Sequence, residues 1–502
     1  MSKWEKACFE IKQKGLQARE EIKSYGVYPD SLNKSNGSYI FMVRDGNQKK
    51  LVIQGGGLLF LSFSGEIGEV DNEGVKVCSL THENCNVLRD VFPFTAPSSV
   101  LKCRNSIGLG DRLGLASAGH IRLIKKYDIK PILAQQSIRE LNLTGRTYEN
   151  VLDDASWAVF QEGYKGGFGA DGDHLKTSKE VEYALGCGFT MITLDCSEYI
   201  DNSITQMMDN EVDAAYEKLR RPSIEEKYLN REFELSNRIR ILFKANELKR
   251  IVLTYTKAIA FAVDIFNKYI KNYDREVDFE MSIDETLTPT SPQAHFFVGL
   301  ELKDAGVSAA TVAPRFCGEF QKGIDYIGNI EQFKKEFTIH TAIAEYFDYK
   351  ISVHSGSDKF SVFPIIGRET KGRFHVKTAG TNWLEAVRVI AKKDPSLYRE
   401  IHSFALDVLD EAKAYYHIGA DVTKIPFIDK LNDEELPNLM NKDDSRQVIH
   451  ITYGLILQAQ KEDGTYLFRD RIYEVLNTCE EDYYEALYKH IGRHIEELGE
   501  GI

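Results

Sequence analysis

The stretch GFGADGDHLKTSKEVEYALGCGFTMITLDCS, residues 167–197, decides the fold. It opens with a short run of glycine and apolar residues that ends in aspartates and a histidine. Thr177 then stands three residues before Glu180, which is the spacing of a capping box at a helix start. The helical segment ends in glycines and leads into a second apolar run, FTMITLDCS. This strand–helix–strand order predicts a parallel sheet, because parallel strands need a crossover connection, usually a helix.

The same unit recurs through the middle of the chain. One of its helices begins at Ser291-Pro292, an N-cap residue followed by proline at the first helical position. The strand-type runs are KCRNSIGLGD, KPILAQQS, GFGADGDH, FTMITLDCS, VDFEMSIDE, VSAATVAPR, KISVHSGSD and FHVKTAG. Eight alternating units predict a closed (β/α)8 barrel of the TIM type rather than an open doubly wound sheet.

The segments on either side of these units have a different pattern. A helical segment at about 4–25 precedes the alternating runs SYIFMVRDG, KKLVIQGG and LLFLSFSGEIGEV, which predict a small antiparallel sheet. We expect a β-rich accessory domain over 1–100 and the barrel over 101–391. A charged helical insertion at about 204–271 interrupts the barrel, and a helical C-terminal extension covers 392–502.

Composition excludes several classes of function. The formal charge of −13 argues against a nucleic-acid partner, because phosphate binding needs a basic surface. No apolar run reaches the ~18–20 residues that span a bilayer, and the charged N-terminus does not read as a secretory signal. The eight cysteines show no CxxC pair, so we expect reduced thiols in a cytoplasmic protein. The sequence leaves a homo-oligomer open.

Polar side chains end the predicted strands, where TIM barrels hold their active sites. Three of the twelve histidines fall on these runs, and carboxylates fall on others. Imidazole and carboxylate groups hold catalytic divalent ions while leaving positions open for substrate. We therefore predict a metal site with His174, His354 and His375 as ligands, although His375 also fits a core histidine.

Other signals are weaker. The glycines from Gly108 to Gly114 have the spacing GxGxxxG, which differs from the dinucleotide-binding pattern and predicts a tight turn instead. Arg446, His450 and Tyr453 fall near one helical face, from which they could close over the barrel mouth.

The strand ends also resemble a known family. The motifs GLGDRLGLASAGHIR, AQQSIREL, GFGADGDHLKT, SIDETLTPTSP, APRFCGEFQKGIDY, SVHSGSDKFSV and HVKTAGTN look like those of the tagaturonate epimerase family. The resemblance runs from about residue 100 to about 460 and does not extend to motifs of the insertion. It implies a metal-dependent barrel enzyme of hexuronate metabolism that interconverts D-tagaturonate and D-fructuronate. Mn, Zn, Ni, Co and Fe all fit as the divalent cation.

The resemblance suggests roles for the strand-end residues. Asp173 is then the base and Glu280 the acid, with Glu285 as the rival of Glu280. Cationic and polar groups would bind the sugar acid. The candidates for that binding are Asp111, Arg112, Gln136, Lys176, Arg315 and Lys377.

Two routes fit an inversion at C4, which is not adjacent to the keto group. In one, the C3–C4 bond breaks in a retro-aldol step and re-forms on the other face. In the other, the carbonyl migrates until the C4 hydrogen becomes acidic. Alternative functions on the same barrel are a metal-dependent sugar aldolase, a neutral ketohexose (tagatose/fructose) 4-epimerase and a non-catalytic sugar-binding protein.

Overall fold

The amino-terminal region contains a five-stranded antiparallel sheet in the computed structural model, which describes residues 2–219 and 222–499. Its strands are β1 (Asn33–Ser35), β2 (Ser38–Asp45), β3 (Gln48–Gln54), β4 (Glu66–Val70) and β5 (Glu73–Ser79), in the order β1-β2-β3-β5-β4. The helices of this region are α1 (Lys3–Lys14), α2 (Arg19–Lys23), α3 (Gly57–Ser62) and α4 (His82–Val91). The predicted run LLFLSFSGEIGEV is only half strand, because its first part forms α3. Consecutive apolar residues without alternation do not distinguish a strand from a helix.

A closed barrel of eight parallel strands confirms the predicted fold class. Each of the eight predicted runs contains one of its strands. The strands are β6 (Ser106–Leu109), β7 (Lys130–Ser137), β8 (Gly169–Leu175), β9 (Met191–Asp195), β12 (Asp278–Ile283), β13 (Thr311–Pro314), β14 (Lys350–Val353) and β15 (Phe374–Thr378), with β10 (Glu232–Glu234) and β11 (Arg240–Leu242) as a separate hairpin. Around the barrel the order is β12-β13-β14-β15-β6-β7-β8-β9.

Helices follow the barrel strands as the periodicity predicts. They are α5 (Ser117–Ile124), α6 (Ile138–Thr144), α7 (Tyr148–Gln161), α8 (Ser178–Gly186), α11 (Ala245–Ile265), α12 (Pro292–Asp304), α13 (Ile330–Phe347), α14 (Phe363–Glu369) and α15 (Gly380–Lys393). Thr177 forms the predicted capping box at α8, and Ser291 caps α12 with proline at its start.

The predicted insertion is helical only in part. It contains α9 (Asp209–Leu219), α10 (Pro222–Tyr228) and most of α11, but the segment predicted as continuous helix holds the antiparallel hairpin β10–β11. Alternation of charged and apolar residues in REFELSNRIRIL fits a strand as well as a helix over so short a length. Arg220 and Arg221 of this insertion lie outside the described residues, as do Met1 and residues 500–502.

The C-terminal extension is helical, as predicted. Its helices are α16 (Pro395–Asp407), α17 (Leu409–Ala412), α18 (Asp443–Ile451), α19 (Tyr453–Gln458), α20 (Arg469–Thr478) and α21 (Glu480–Glu497). They share a hydrophobic core with α15, in which Trp383 and Tyr398 are buried. All eight cysteines are free thiols. Among the described residues, no helix has the length and apolarity needed to cross a membrane.

Candidate active site

The carboxyl ends of the barrel strands surround a cavity of about 680 Å³. Strand ends and the loops after them supply most of the wall, and the C-terminal extension completes it. The lining includes Arg112, Ser137, His174, Lys176, Asp195, Asp284, Glu285, Lys322, His354, Lys377, Tyr416 and His450. The volume suits a small molecule, and the location is that of the active site in TIM barrels.

A bulge in β8 turns two adjacent side chains toward this cavity. Consecutive residues of a strand normally face opposite sides, yet Asp173 and His174 both line the cavity. The pairing of β8 with β9 shifts register between Gly172 and Leu175, and His174 has a φ of 55°. A left-handed conformation costs a non-glycine residue on the order of 1–3 kcal/mol. This strain lowers the stability of the folded state, and it places a carboxylate and an imidazole side by side in the cavity.

His174 is held by its neighbour. Its Nδ1 lies 2.9 Å from Asp173 Oδ1, and its Nε2 makes no hydrogen bond within the described part of the chain. Burial opposes protonation of the ring, but the Asp173 carboxylate overcomes it and raises the pKa of His174. One nitrogen is thus oriented by a carboxylate, and the other is free for a ligand.

His354, at the end of β14, has the same arrangement. Its Nε2 lies 2.7 Å from Glu280 Oε1, and its Nδ1 lies 3.0 Å from Asp284 Oδ2. The Nδ1 contact is not aligned as a hydrogen bond, so this nitrogen is buried without a donor or acceptor partner. Burial opposes protonation, but Asp284 and Glu280 outweigh it and raise the pKa of His354 to about 10.

His174, Asp284 and His354 form one group, whose ligand atoms lie within 4.8 Å of one another. The two imidazole rings are 4.7 Å apart between centroids. Atoms bound to one ion at about 2.1 Å lie about 3.0–3.4 Å apart, which the Asp284–His354 contact matches. The outer nitrogen of each histidine meets a carboxylate, as in most metal-ligating histidines. This donor set fits a divalent ion, and we call it the His174–Asp284–His354 group.

His375, the third predicted ligand, lies outside this group. Its Nδ1 is 3.0 Å from Ser106 Oγ, deep in the barrel, and its buried Nε2 has no hydrogen-bond partner. Burial lowers the pKa of His375 to about 3. Asp284, a strand-end residue to which the sequence analysis gave no role, lies with His174 and His354 in the group instead.

Lys377 ties the carboxylates of the cavity floor together. Its Nζ lies 2.8 Å from Asp171, 2.7 Å from Asp173 and 2.9 Å from Glu280. The side chain is 4% exposed. Burial opposes its charge, but the carboxylates dominate and raise the pKa of Lys377 well above its ordinary value. An ammonium so fully paired has little capacity left for a substrate carboxylate, its predicted role.

The predicted acid Glu280 is buried and already has several partners. It is fully buried, and besides His354 and Lys377 it accepts hydrogen bonds from Thr193 and Thr311. Burial opposes the negative charge of Glu280, but Lys377 and His354 outweigh burial and hold the pKa of Glu280 well below its usual range. A lowered pKa favours the ionised form, whereas a general acid acts from the protonated form. Glu285, its predicted rival, is exposed at the cavity wall.

Three predicted substrate-binding residues do not line the cavity. Asp111 accepts hydrogen bonds from the backbone N–H groups of Leu113, Gly114 and Ala116, so it shapes the loop after β6. Gln136 is buried, whereas its neighbour Gln135 reaches the wall, and Arg315 also lies outside the lining.

Arg112 and Lys176, which were also predicted to bind substrate, line the cavity but already have partners. The guanidinium of Arg112 lies 3.0 Å from Glu140 and stacks on Tyr453, 3.6 Å from the ring centroid. Lys176 Nζ lies 3.5 Å from Asp195 and donates to Ser197.

The C-terminal extension closes over the cavity, as its motif suggested. His450 lines the wall next to Gly380 at the start of α15. A Cβ on Gly380 would lie 1.6 Å from His450 Nε2, so only glycine permits this approach. Arg446 donates to Asp358 over 2.7 Å, and both side chains are buried.

A second cluster, Asp358 with His490 and His494, joins the extension to the loop after β14. His494 Nε2 accepts from the Asp358 backbone N–H at 2.9 Å, and its Nδ1 lies 2.8 Å from the His490 carbonyl. Both ring nitrogens are therefore used, and the cluster is a clamp rather than a metal site.

Sequence reasoning missed Arg139 and Lys322, which both line the cavity. Both lie inside motifs that carry the family resemblance, AQQSIREL and APRFCGEFQKGIDY. Lys322 comes eight residues after the end of β13, so no strand-end rule selects it.

Comparisons with known proteins identify close relatives. The family model described as tagaturonate epimerase matches residues 28–498. The tagaturonate/fructuronate epimerase of Thermotoga maritima is 42% identical over 484 residues, which cover 95% of this chain and 97% of that protein. A glycerol-complexed crystal structure of the fructuronate-tagaturonate epimerase UxaE from Cohnella laeviribosi is 52% identical. It superposes with a TM-score of 0.93 over 97% of this chain and 100% of that one. The native crystal structure of the same enzyme gives a TM-score of 0.92.

Proposed function

The chain belongs to the tagaturonate epimerase family and is an isomerase, and on that premise we propose that it interconverts D-tagaturonate and D-fructuronate with a divalent metal ion. The observation that carries the proposal is the His174–Asp284–His354 group inside the strand-end cavity. Two imidazoles and one carboxylate hold catalytic divalent ions and leave coordination positions open. Mn, Zn, Ni, Co and Fe are all compatible with these donors.

An ion bound there would supply Lewis-acid chemistry to the oxygens of the substrate. The protein holds the donors in place through their outer partners. Asp173 orients His174, and Glu280 orients His354. Lys377 links these two carboxylates, so the floor of the cavity is one connected network.

This network changes the roles of two predicted catalytic residues. Burial opposes ionisation of Asp173, but Lys377 and His174 overcome it and hold its pKa well below the usual value. A carboxylate of low pKa is a weak base at neutral pH. We therefore assign Asp173 and Glu280 to positioning the histidines rather than to proton transfer.

Glu285 is then the candidate for proton transfer. It lines the cavity, and no hydrogen bond or ion pair engages its carboxylate within the described residues. In a retro-aldol route it would take the C4 hydroxyl proton as the C3–C4 bond breaks and return it after re-addition to the other face. In the carbonyl-migration route it would move a carbon-bound proton, which is why the two routes differ in isotope exchange.

A proton NMR time course with D-tagaturonate in heavy water tests the function. We expect fructuronate to form, to stop forming with a chelator and to form again when a divalent ion is added. Deuterium at C3 or C4 of the product supports proton transfer, and its absence supports cleavage of the C3–C4 bond. Lack of conversion by metal-loaded protein would refute the proposed activity.

Two matched variants test the revised ligand set. Asp284→Asn should lose bound metal and turnover, because it removes one donor of the group. His375→Gln should keep metal stoichiometry, because this residue lies outside the group. Loss of metal in His375→Gln with retention in Asp284→Asn would restore the ligand set that the sequence suggested.

A further inference from the structure

The cavity has a group of carboxylates at its floor and a group of cations elsewhere in its lining. At or just below the floor, Asp171, Asp173, Glu280 and Asp284 surround Lys377 and the imidazole of His354. Carboxylates next to two imidazoles form a donor set that suits a cation.

Another part of the lining carries three cations, Arg112, Arg139 and Lys322. The carboxylates Glu140 and Glu285 also line the cavity, and both act on Arg139. Arg112 and Glu140 pair with each other at 3.0 Å. Neither Arg139 nor Lys322 forms a close ion pair with a carboxylate among the described residues, although Glu140 and Glu285 act on Arg139 from farther away. We call these two side chains the basic pair.

Lys322 is the more buried member of the basic pair. Its Nζ donates to Ser355 Oγ over 2.8 Å, and burial together with the guanidinium groups of Arg139 and Arg112 lowers the pKa of Lys322. Arg139 lies over Tyr416, with its guanidinium carbon 4.8 Å from the ring centroid. Cations confined together repel each other, and a bound anion would relieve that repulsion.

The position of Lys322 relates the basic pair to the His174–Asp284–His354 group. Ser355, its hydrogen-bond partner, directly follows His354 and has a φ of 49°. The ammonium therefore lies beside the loop that carries a candidate metal ligand. One ligand in this cavity would have its polar hydroxyl-bearing part at the group and an anionic end at the basic pair.

We propose that Lys322 and Arg139 bind the terminal carboxylate of the uronate and so determine the preference for a sugar acid over a neutral sugar. This inference rests on the proposed function. The other cations of the cavity are less suitable, because Arg112, Lys176 and Lys377 each face a carboxylate of the protein.

The test is a comparison of Lys322→Met with the wild-type enzyme. A hydrogen bond between charged groups contributes enough to change affinity by about 10- to 100-fold when one partner is removed. We expect the KM for D-tagaturonate to rise by about that factor with kcat within about threefold of wild type, and Arg139→Met to act in the same direction. Lys335→Met, which removes an exposed lysine of α13 outside the cavity lining, is the charge-matched control.

Three results with the Lys322→Met variant would overturn the proposal. They are an unchanged KM for tagaturonate in Lys322→Met, a fall in kcat without a rise in KM, and an equal rise in KM for D-tagatose, which has no carboxylate. Faster turnover of a ketohexose 6-phosphate than of tagaturonate would also overturn it, since the basic pair would then serve a phosphate.

A binding measurement separates this proposal from the proposed function. Inorganic phosphate should raise the Tm of the wild-type protein and raise it less in Lys322→Met. If the wild type converts no tagaturonate but shows this difference, the anion site stands and the epimerase assignment fails. If conversion occurs and phosphate protects both proteins equally, the epimerase assignment stands and the anion site fails.

Discussion

Asp173→Asn separates a positioning role for this residue from the role of catalytic base. The asparagine keeps the shape of the side chain but removes the charge that raises the pKa of His174. Loss of such an outer partner typically weakens metal binding about 10- to 100-fold, which corresponds to about 1.4–2.7 kcal/mol. The fold should persist, because Lys377 retains Asp171 and Glu280 at 2.8 and 2.9 Å.

The assay is a calorimetric titration of metal-free protein with Mn²⁺ or Zn²⁺, followed by kcat at saturating metal. We expect weaker metal binding in Asp173→Asn and recovery of most of the turnover when metal is in excess. Asp195→Asn is the control, because Asp195 lines the same cavity but contacts Lys176 and the Ser197 backbone rather than a candidate ligand. Unchanged metal affinity in Asp173→Asn, with kcat at saturating metal reduced by more than about 100-fold, would refute the positioning role and restore Asp173 as the base.

Three further predictions concern the closing extension and the buried histidines. Arg446→Met should lower the free energy of unfolding by about 1.5–3 kcal/mol in urea, because it removes one charged partner of the buried Asp358 carboxylate, which keeps its 2.5 Å contact with His490; a loss below about 1 kcal/mol, the scale of an exposed pair, would contradict this. Gly380→Ala should reduce kcat/KM without unfolding the protein, since its Cβ would collide with His450, and unchanged kinetics would disprove the close approach. Burial lowers the pKa of His402 to about 4, so the unfolded chain takes up a proton below about pH 6.5 that the folded chain does not, and stability falls as pH falls. His402→Leu should flatten that dependence by about 1.4 kcal/mol per pH unit between about pH 6 and 4, and an unchanged slope in urea titrations would contradict this.

The barrel could be predicted because its strands are short runs with polar carboxyl ends, separated by segments with helix signals. Hydrophobic periodicity gave the wrong secondary structure where a helix and a strand fit the same residue pattern. The hairpin β10–β11 lies in a charged segment that also fits a helix, and α3 lies in an apolar run without alternation. In both places, contacts with distant parts of the chain determine whether a helix or a strand forms. The local residue pattern does not specify those contacts.

The sequence predicted which residue types lie at the strand ends. It did not predict how deep in the barrel each side chain lies. His375 and Lys377 lie two apart on β15 and therefore face the same side. Lys377 is nearer the carboxyl end, so its side chain fills the layer between His375 and the cavity. Asp284 lies just beyond the end of β12, where it can face His354 directly. A sequence gives the position of a residue along a strand, whereas the ligand set depends on which layer of the barrel it occupies.

The proposed basic pair would let an acidic protein bind an anionic substrate. The net charge of −13 is spread over a surface whose field is screened within about 8–10 Å by physiological salt. Arg139 and Lys322 line the cavity without a close ion pair among the described residues, so they could attract an anion at short range. The carboxylates around Lys377 would oppose the approach of an anion less if a cation were bound beside them. On the proposed function, an ion held by the His174–Asp284–His354 group would therefore favour binding of the substrate carboxylate at the basic pair.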